Sequence, residues 1–100
     1  MKKKVNTISS CIIVKNEIDN IPKLLDDLRK FSDEIIVVDT GSTDGTLEYL
    51  MEQNDIFFTC FNWVKDFAAA RNFSFSQATK DWIFWCDADD RIPDDLIDAI

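Results

Sequence analysis

The chain has no histidine, two glycines, two prolines and three cysteines in 100 residues. Each shortage closes off a class of function. A zinc centre without histidine needs clustered thiolates, but Cys11, Cys60 and Cys86 are far apart and form no CxxC pair. They are also odd in number, and the expected setting is a reducing, cytoplasmic one. Cys11 and Cys86 stand inside apolar runs and read as small buried hydrophobes. There is no repeat, low-complexity tract or linker. No apolar h-region follows Met1-Lys2-Lys3-Lys4, and no apolar run is long enough for a membrane span. Basic residues are the minority, 11 against 19 acidic, for a formal net charge of −8. That balance disfavours non-specific binding to nucleic acid or anionic lipid. A polyanionic ligand would need a cation to invert the local charge.

What the chain does have is apolar residues, 46% of the total, with eight Phe and three Trp. They alternate between two periods. Ile8 to Val14 reads as a strand, followed by a helix capped at Asp19 or Asn20 with Pro22 in its first turn. Ile21, Leu24, Leu25, Leu28 and Phe31 fall on one face of that helix. Ile35 to Val38 is a second strand, β-branched throughout. Ser42 to Asp44 can cap a helix carrying Leu47, Leu50 and Met51, and Ile56 to Thr59 is a third strand. Asp66 opens a helix with Phe67, Ala70, Ser74 and Ala78 along one stripe, and Trp82 to Cys86 is a fourth strand, read as buried. Pro93 starts a further helix bearing Leu96, Ile97 and Ile100. The fold class expected is α/β, a three-layer α/β/α sandwich on a mainly parallel, Rossmann-like sheet.

A parallel sheet gathers the carboxyl ends of its strands on one edge, where ligands bind. Those ends are Lys15-Asn16-Glu17, Asp39-Thr40-Gly41-Ser42, Asn62 and Asp87-Ala88-Asp89-Asp90. The last is the most informative, because three carboxylates follow directly on a short apolar run. Carboxylates this close repel one another, and a hard divalent cation such as Mg²⁺ or Mn²⁺ removes that cost. Asp87 and Asp89 are the candidate metal ligands, against the plainer reading of a solvated acidic turn. Such an ion takes its other ligands from phosphate and water, so the ligand would be a phosphorylated or nucleotide-bearing small molecule. Asp39 ends a buried strand and reads either as a ligand contact or as a carboxylate satisfied by nearby backbone N–H groups. Gly41 to Gly45 could be a strand-to-helix turn alone. Arg71, on a helix rich in Phe and Ala, is a surface arginine or a group holding a ligand at the acidic cleft. Trp63, Phe67, Phe73 and Phe75 read as core.

Four blocks then coincide: Val14-Lys15-Asn16-Glu17, Ile36 to Asp44, Asp66 to Asn72, and Trp82 to Asp89. In order and spacing they resemble family 2 glycosyltransferases with the GT-A fold, over about Ser10 to Asp90. The resemblance implies a nucleotide-sugar donor, commonly a UDP-sugar, a Mg²⁺ or Mn²⁺ ion, and transfer with inversion at the anomeric carbon. By position, it implies that Asp39 contacts the uridine, Arg71 lies near base and ribose, Asp87 meets the ribose and Asp89 holds the metal. Asn16, Glu17 and Thr40 join the substrate-binding set. Lys15 stands where many members have an aromatic residue, and Thr40 where many have a second aspartate. A hydroxyl can still accept a hydrogen bond, less strongly than a carboxylate.

Three other readings stay open at this level. A haloacid-dehalogenase-type phosphatase also places DxD after a buried strand, but normally with Thr or Val soon after the second Asp. A receiver-like domain could use Asp39 as phosphoacceptor, but needs an acidic pair after its first strand. A non-catalytic nucleotide-binding module predicts binding without turnover. The final apolar helix pattern stops mid-course, so the expectation is a truncation, and the family resemblance implies that this is a donor-binding part whose acceptor-binding half, with the general base, is absent. The acceptor is unknown, and the 100 residues alone should have little transferase activity. An uncovered face of this kind predicts self-association or marginal stability of residues 1–100. A monomer in sedimentation with a cooperative thermal melt would refute that expectation.

Overall fold

The computed structural model describes residues 7–60 and 67–87. Seven elements alternate along the chain: β1 (Ile8–Val14), α1 (Ile21–Arg29), β2 (Glu34–Asp39), α2 (Thr46–Met51), β3 (Phe57–Cys60), α3 (Phe67–Ser76) and β4 (Trp82–Asp87). The four strands form one sheet in the order β3-β2-β1-β4. All three pairings are parallel. The expected α/β architecture is therefore present. The expected helix start at Asp66 and the helix after Pro93 lie outside the described residues. Ala78 falls beyond the end of α3.

Alternation along the strands divides the core into two layers. Ile12 and Val14 of β1, Ile35 and Val37 of β2 and Cys86 of β4 face Ile21, Leu24, Leu25 and Leu28 of α1, with Phe31 and Leu50 of α2. Each of these side chains is at most 6% exposed, and burying one fully is worth about 1.5–3 kcal/mol. Phe31 meets Phe84 edge to face, with ring centroids 5.2 Å apart. On the opposite face α3 packs through buried Ala70 and Ser74. There the Cys11 thiol donates to the Ser74 carbonyl at 3.7 Å. Burial pushes the Cys11 pKa up to about 11, so this thiol is inert at neutral pH. Helices thus cover both faces, giving three layers.

Strand β4 departs from expectation. Trp82 is 61% and Ile83 46% exposed, because β4 pairs only with β1 among the described residues. Its apolar run marks an edge strand there rather than a central one. Phe57 on the other edge strand, β3, is exposed for the same reason.

The amino pole of the sheet is closed by side chains. Asp33 accepts the Ile8 N–H at 2.8 Å. Glu34 accepts the Ser9 hydroxyl at 2.7 Å, and the backbone N–H and hydroxyl of Thr79, both at 2.9 Å. One carboxylate therefore ties the starts of β1 and β2 to the turn before β4. Burial acts to raise the pKa of Glu34, but the bonds from Ser9 and Thr79 and the charge of Lys80 outweigh it and hold it low. A lowered carboxylate pKa gives stability that is present above the ordinary value of 4.5 and is lost as pH falls through the folded-state value. Urea stability measured against pH should decline below 4.5, with a flatter decline in Glu34→Gln. Parallel slopes in the two proteins would show that Glu34 is not linked to folding.

Candidate functional site

The site is built on the carboxyl edge of the sheet, at the tips of its two central strands. In register, Asp39 lies opposite Val14 of β1 and Cys60 of β3. It is 1% exposed. Its Oδ1 accepts the backbone N–H groups of Gly41 and Ser42, each at 2.9 Å. Its Oδ2 is buried and has no hydrogen-bond partner among the described residues. Backbone N–H groups therefore satisfy one oxygen of Asp39, as one of the two readings expected, and leave the other open. A buried acceptor left unpaired costs about 1–3 kcal/mol, and more when charged, so Oδ2 is an acceptor held ready for an N–H or O–H from outside. Gly41 adopts a φ of +121°, and a Cβ placed there would meet nothing within 4 Å. Its conformation strongly favours glycine, and the space beside it is open.

Thr40 turns inward. It is buried, and both its N–H and its hydroxyl donate to the Val14 carbonyl, at 3.0 and 3.2 Å. This seals β1 to β2 immediately beside Asp39.

Asn16 and Glu17 belong to a second structure at the same edge, a lock between the turn after β1 and the turn before α2. Asn16 has a φ of +56°. Its N–H donates to Ser42 Oγ at 2.9 Å, and its Oδ1 accepts the Thr43 N–H at 2.7 Å. The Glu17 N–H donates to Thr46 Oγ1 at 3.0 Å, and the Ile18 N–H to Asp44 Oδ2 at 3.3 Å. The Glu17 carboxylate accepts Asn20 Nδ2 at 2.8 Å. Asp44 also accepts the N–H and hydroxyl of Thr46. The Thr46 hydroxyl is the main reason its carboxyl sits below the ordinary range, against a small opposing effect of burial. Sequence reading took Ser42 to Asp44 as a helix cap. Asp44 does serve α2 in that way, although Gly45 is the capping residue by backbone position. It missed the cross-turn role of Ser42, Asp44 and Thr46, whose one visible signal was the pairing of two polar turns at neighbouring strand ends.

Arg71 lies in α3, half-buried, with its guanidinium carbon 5.9 Å from the centre of the Trp85 ring. That is within cation–π range. Asp87 ends β4 with its backbone in register with Ile13 of β1. The Asp87 backbone and Asp39 are thus delivered to one edge, with β1 between them. The side chain of Asp87, and all of Asn62, Trp63, Asp89 and Asp90, lie outside the described residues. Among the described residues no three His, Cys, Asp or Glu side chains gather to hold a metal. The residues that follow β4 in the sequence, Asp89 and Asp90, carry hard carboxylate oxygens, a chemistry that fits Mg²⁺ or Mn²⁺ held by one or two protein groups.

Comparison with known proteins decides the family. The sequence model of Glycosyl transferase family 2 matches residues 9–100. The chain belongs to family 2 of the glycosyltransferases. It is 38% identical over 89 residues to the SPbeta prophage-derived glycosyltransferase SunS of Bacillus subtilis, a match covering 88% of this chain and 21% of SunS. It is 39% identical over 85 residues to a TPR repeat-containing protein of Synechococcus elongatus, covering 85% and 21%. Among solved structures, S. aureus TarS aligns with a TM-score of 0.78 and 24% identity, over 93% of this chain and 30% of that one. Glucosyl-3-phosphoglycerate synthase of Mycobacterium tuberculosis, solved with Mn²⁺, UDP and glucosyl-3-phosphoglycerate, aligns at 0.70 and 22%, over 84% and 34%. These structural likenesses establish the GT-A fold. The chain spans about a fifth of the length of the two curated relatives. Family membership displaces the phosphatase and receiver readings of Asp87 and Asp39. Among the described residues no helix is long and apolar enough to cross a membrane.

The inward Thr40 hydroxyl carries a testable consequence. Thr40→Val should lower unfolding stability in urea by about 1 kcal/mol, the usual net worth of one such bond. Unchanged stability would show that the hydroxyl is not committed to Val14.

Proposed function

We propose that the chain is the donor-binding part of a glycosyltransferase that uses a nucleotide-sugar, a UDP-sugar, with Mg²⁺ or Mn²⁺ and inversion at the anomeric carbon. The observation that carries this reading is the unpaired, buried Oδ2 of Asp39 beside the open turn at Gly41. A carboxylate oxygen there suits the imide N–H of uracil, the one strong donor on that base's pairing edge. The UDP and Mn²⁺ bound to the M. tuberculosis synthase support the same donor class and ion.

In this reading Asp39 fixes the base through Oδ2 while Oδ1 stays tied to the Gly41 and Ser42 amides. Arg71, held over Trp85, lies near base and ribose. Asp87 takes the ribose hydroxyls or shares the cation, and Asp89 is its main ligand. Asn16, Glu17 and Thr40 shape the pocket from behind, since their described hydrogen bonds are spent within the fold. The bound cation supplies positive charge against the negative charge that grows on the departing diphosphate. The acceptor-binding half and the general base are assigned to the rest of a longer protein, which the short coverage of its relatives supports.

Calorimetric titration of UDP into the full-length protein, with and without Mn²⁺, tests this. Binding should require the metal and disappear in Asp89→Ala. Asp39→Asn should weaken it tenfold to hundredfold, or about 1.5–3 kcal/mol for a hydrogen bond to a charged group. UDP affinity indifferent to both Mn²⁺ and Asp39→Asn would sink the assignment. Turnover of UDP-sugar by the same protein separates a transferase from a module that only binds.

A further inference from the structure

We propose that Asn16 is a positioning residue for the nucleotide site, acting through the turn at Ser42 and Thr43 to aim the carboxylate of Asp39. The inference rests on the donor-binding reading above. It begins with two bonds in series. The Asn16 N–H donates to Ser42 Oγ, and the Ser42 N–H donates to Asp39 Oδ1. A third bond, from the Thr43 N–H to Asn16 Oδ1 at 2.7 Å, holds the far side of the same turn. The segment 41–43 is therefore gripped from both ends by one side chain and its own amide. With Oδ1 committed to two amides, Oδ2 is left as the oxygen that faces a ligand.

The residue type suits this task. Asn16 has a φ of +56°, the left-handed region, where asparagine is among the few residues other than glycine that sit with little strain. Asparagine also carries a carbonyl acceptor short enough to reach an amide across the turn, which glycine lacks. Its Oδ1 is spent on Thr43, so the contribution of that atom to ligand binding is indirect. Freed of this grip, segment 41–43 can rotate. Its amides then no longer hold Oδ1 alone, and the ligand-facing oxygen loses its fixed direction. The chemistry affected is recognition of a base N–H, with the phosphates and the metal held elsewhere.

The test uses full-length protein labelled with ¹⁵N-glycine, in which the Gly41 amide reports the bond to Asp39 directly. Asn16→Gly keeps the left-handed backbone and the main-chain N–H and deletes only the side-chain acceptor. Asn16→Asp keeps an acceptor at the same place. Asn16→Gly should move the Gly41 resonance without any nucleotide present, and Asn16→Asp should restore it. UDP affinity should fall roughly fivefold in Asn16→Gly, yet change by less than about twofold when Asn16→Gly is added to Asp39→Asn, the non-additivity expected of residues acting through one contact. An equal loss in both backgrounds, or an unmoved Gly41 amide, overturns the proposal and leaves Asn16 as a purely structural turn residue. Absence of UDP binding in the unsubstituted protein overturns the donor-binding reading instead, and the Gly41 amide still judges the link to Asp39. Should Asn16→Gly fail to fold, Ser42→Ala removes the acceptor of the Asn16 N–H and tests the other grip on the same turn by the same Gly41 readout.

Discussion

Everything at the candidate site depends on the parallel pairing of β1 with β2. Their register sets Val14 opposite Asp39, and Thr40 seals the end of the ladder with two bonds to one carbonyl. A parallel pair must send both strands out of the core at the same edge. Lys15 to Glu17 and Gly41 to Ser42 then leave the core side by side, and their polar groups have little choice but to satisfy one another. The lock of Asn16, Glu17 and Ile18 against Ser42 to Thr46 follows from that proximity. So does the half-satisfied state of Asp39, whose position is dictated by the strand and whose first oxygen is claimed by the turn.

The two poles of the sheet handle charge differently. At the amino pole, Glu34 has a described partner on each oxygen, and the α1 side is laced by ion pairs. Arg29 binds Asp55 at 2.8 Å, and Lys23 binds the buried Asp27 at 2.7 Å. These contacts hold the Asp27 and Asp55 carboxyls below the ordinary range, chiefly through the bonds from Lys23 and Arg29. At the carboxyl pole the acids outnumber the bases, and Asp39 keeps an oxygen with no partner. An acidic chain that leaves a buried carboxylate oxygen unsatisfied at one edge, while pairing Asp27, Glu34 and Asp55 elsewhere, carries a local cost. A ligand with a suitably placed N–H relieves it, and a cation nearby relieves the rest.

The cysteine and edge-strand results show where composition misleads. Cys11 and Cys86 are buried as their apolar neighbours suggested, and among the described residues none of the three cysteines is in a disulfide. Trp82 and Ile83 carry the same apolar signal as the core strands yet lie exposed, because a run of hydrophobic residues records what a strand can bury and not how many neighbours it has. Strand order decides that, and strand order is a property of pairings far apart in the chain.

Local chemistry was enough to read the alternation of strands and helices, the parallel sheet, the polar strand ends and the place of Asp39 at the end of a buried strand. Apolar periodicity and β-branching act within a few residues of where they appear. Asn16, Glu17 and Thr40 were also picked out as site residues, but as direct ligand contacts. Only the folded chain turned the Thr40 hydroxyl inward, joined Asn16 to Ser42 and left one Asp39 oxygen unpaired. The first two arise between residues 26 positions apart, and the third at the end of the strand that they lock in place. They hang on the register of two strands and the backbone path of two turns, quantities that no local pattern in a single sequence encodes.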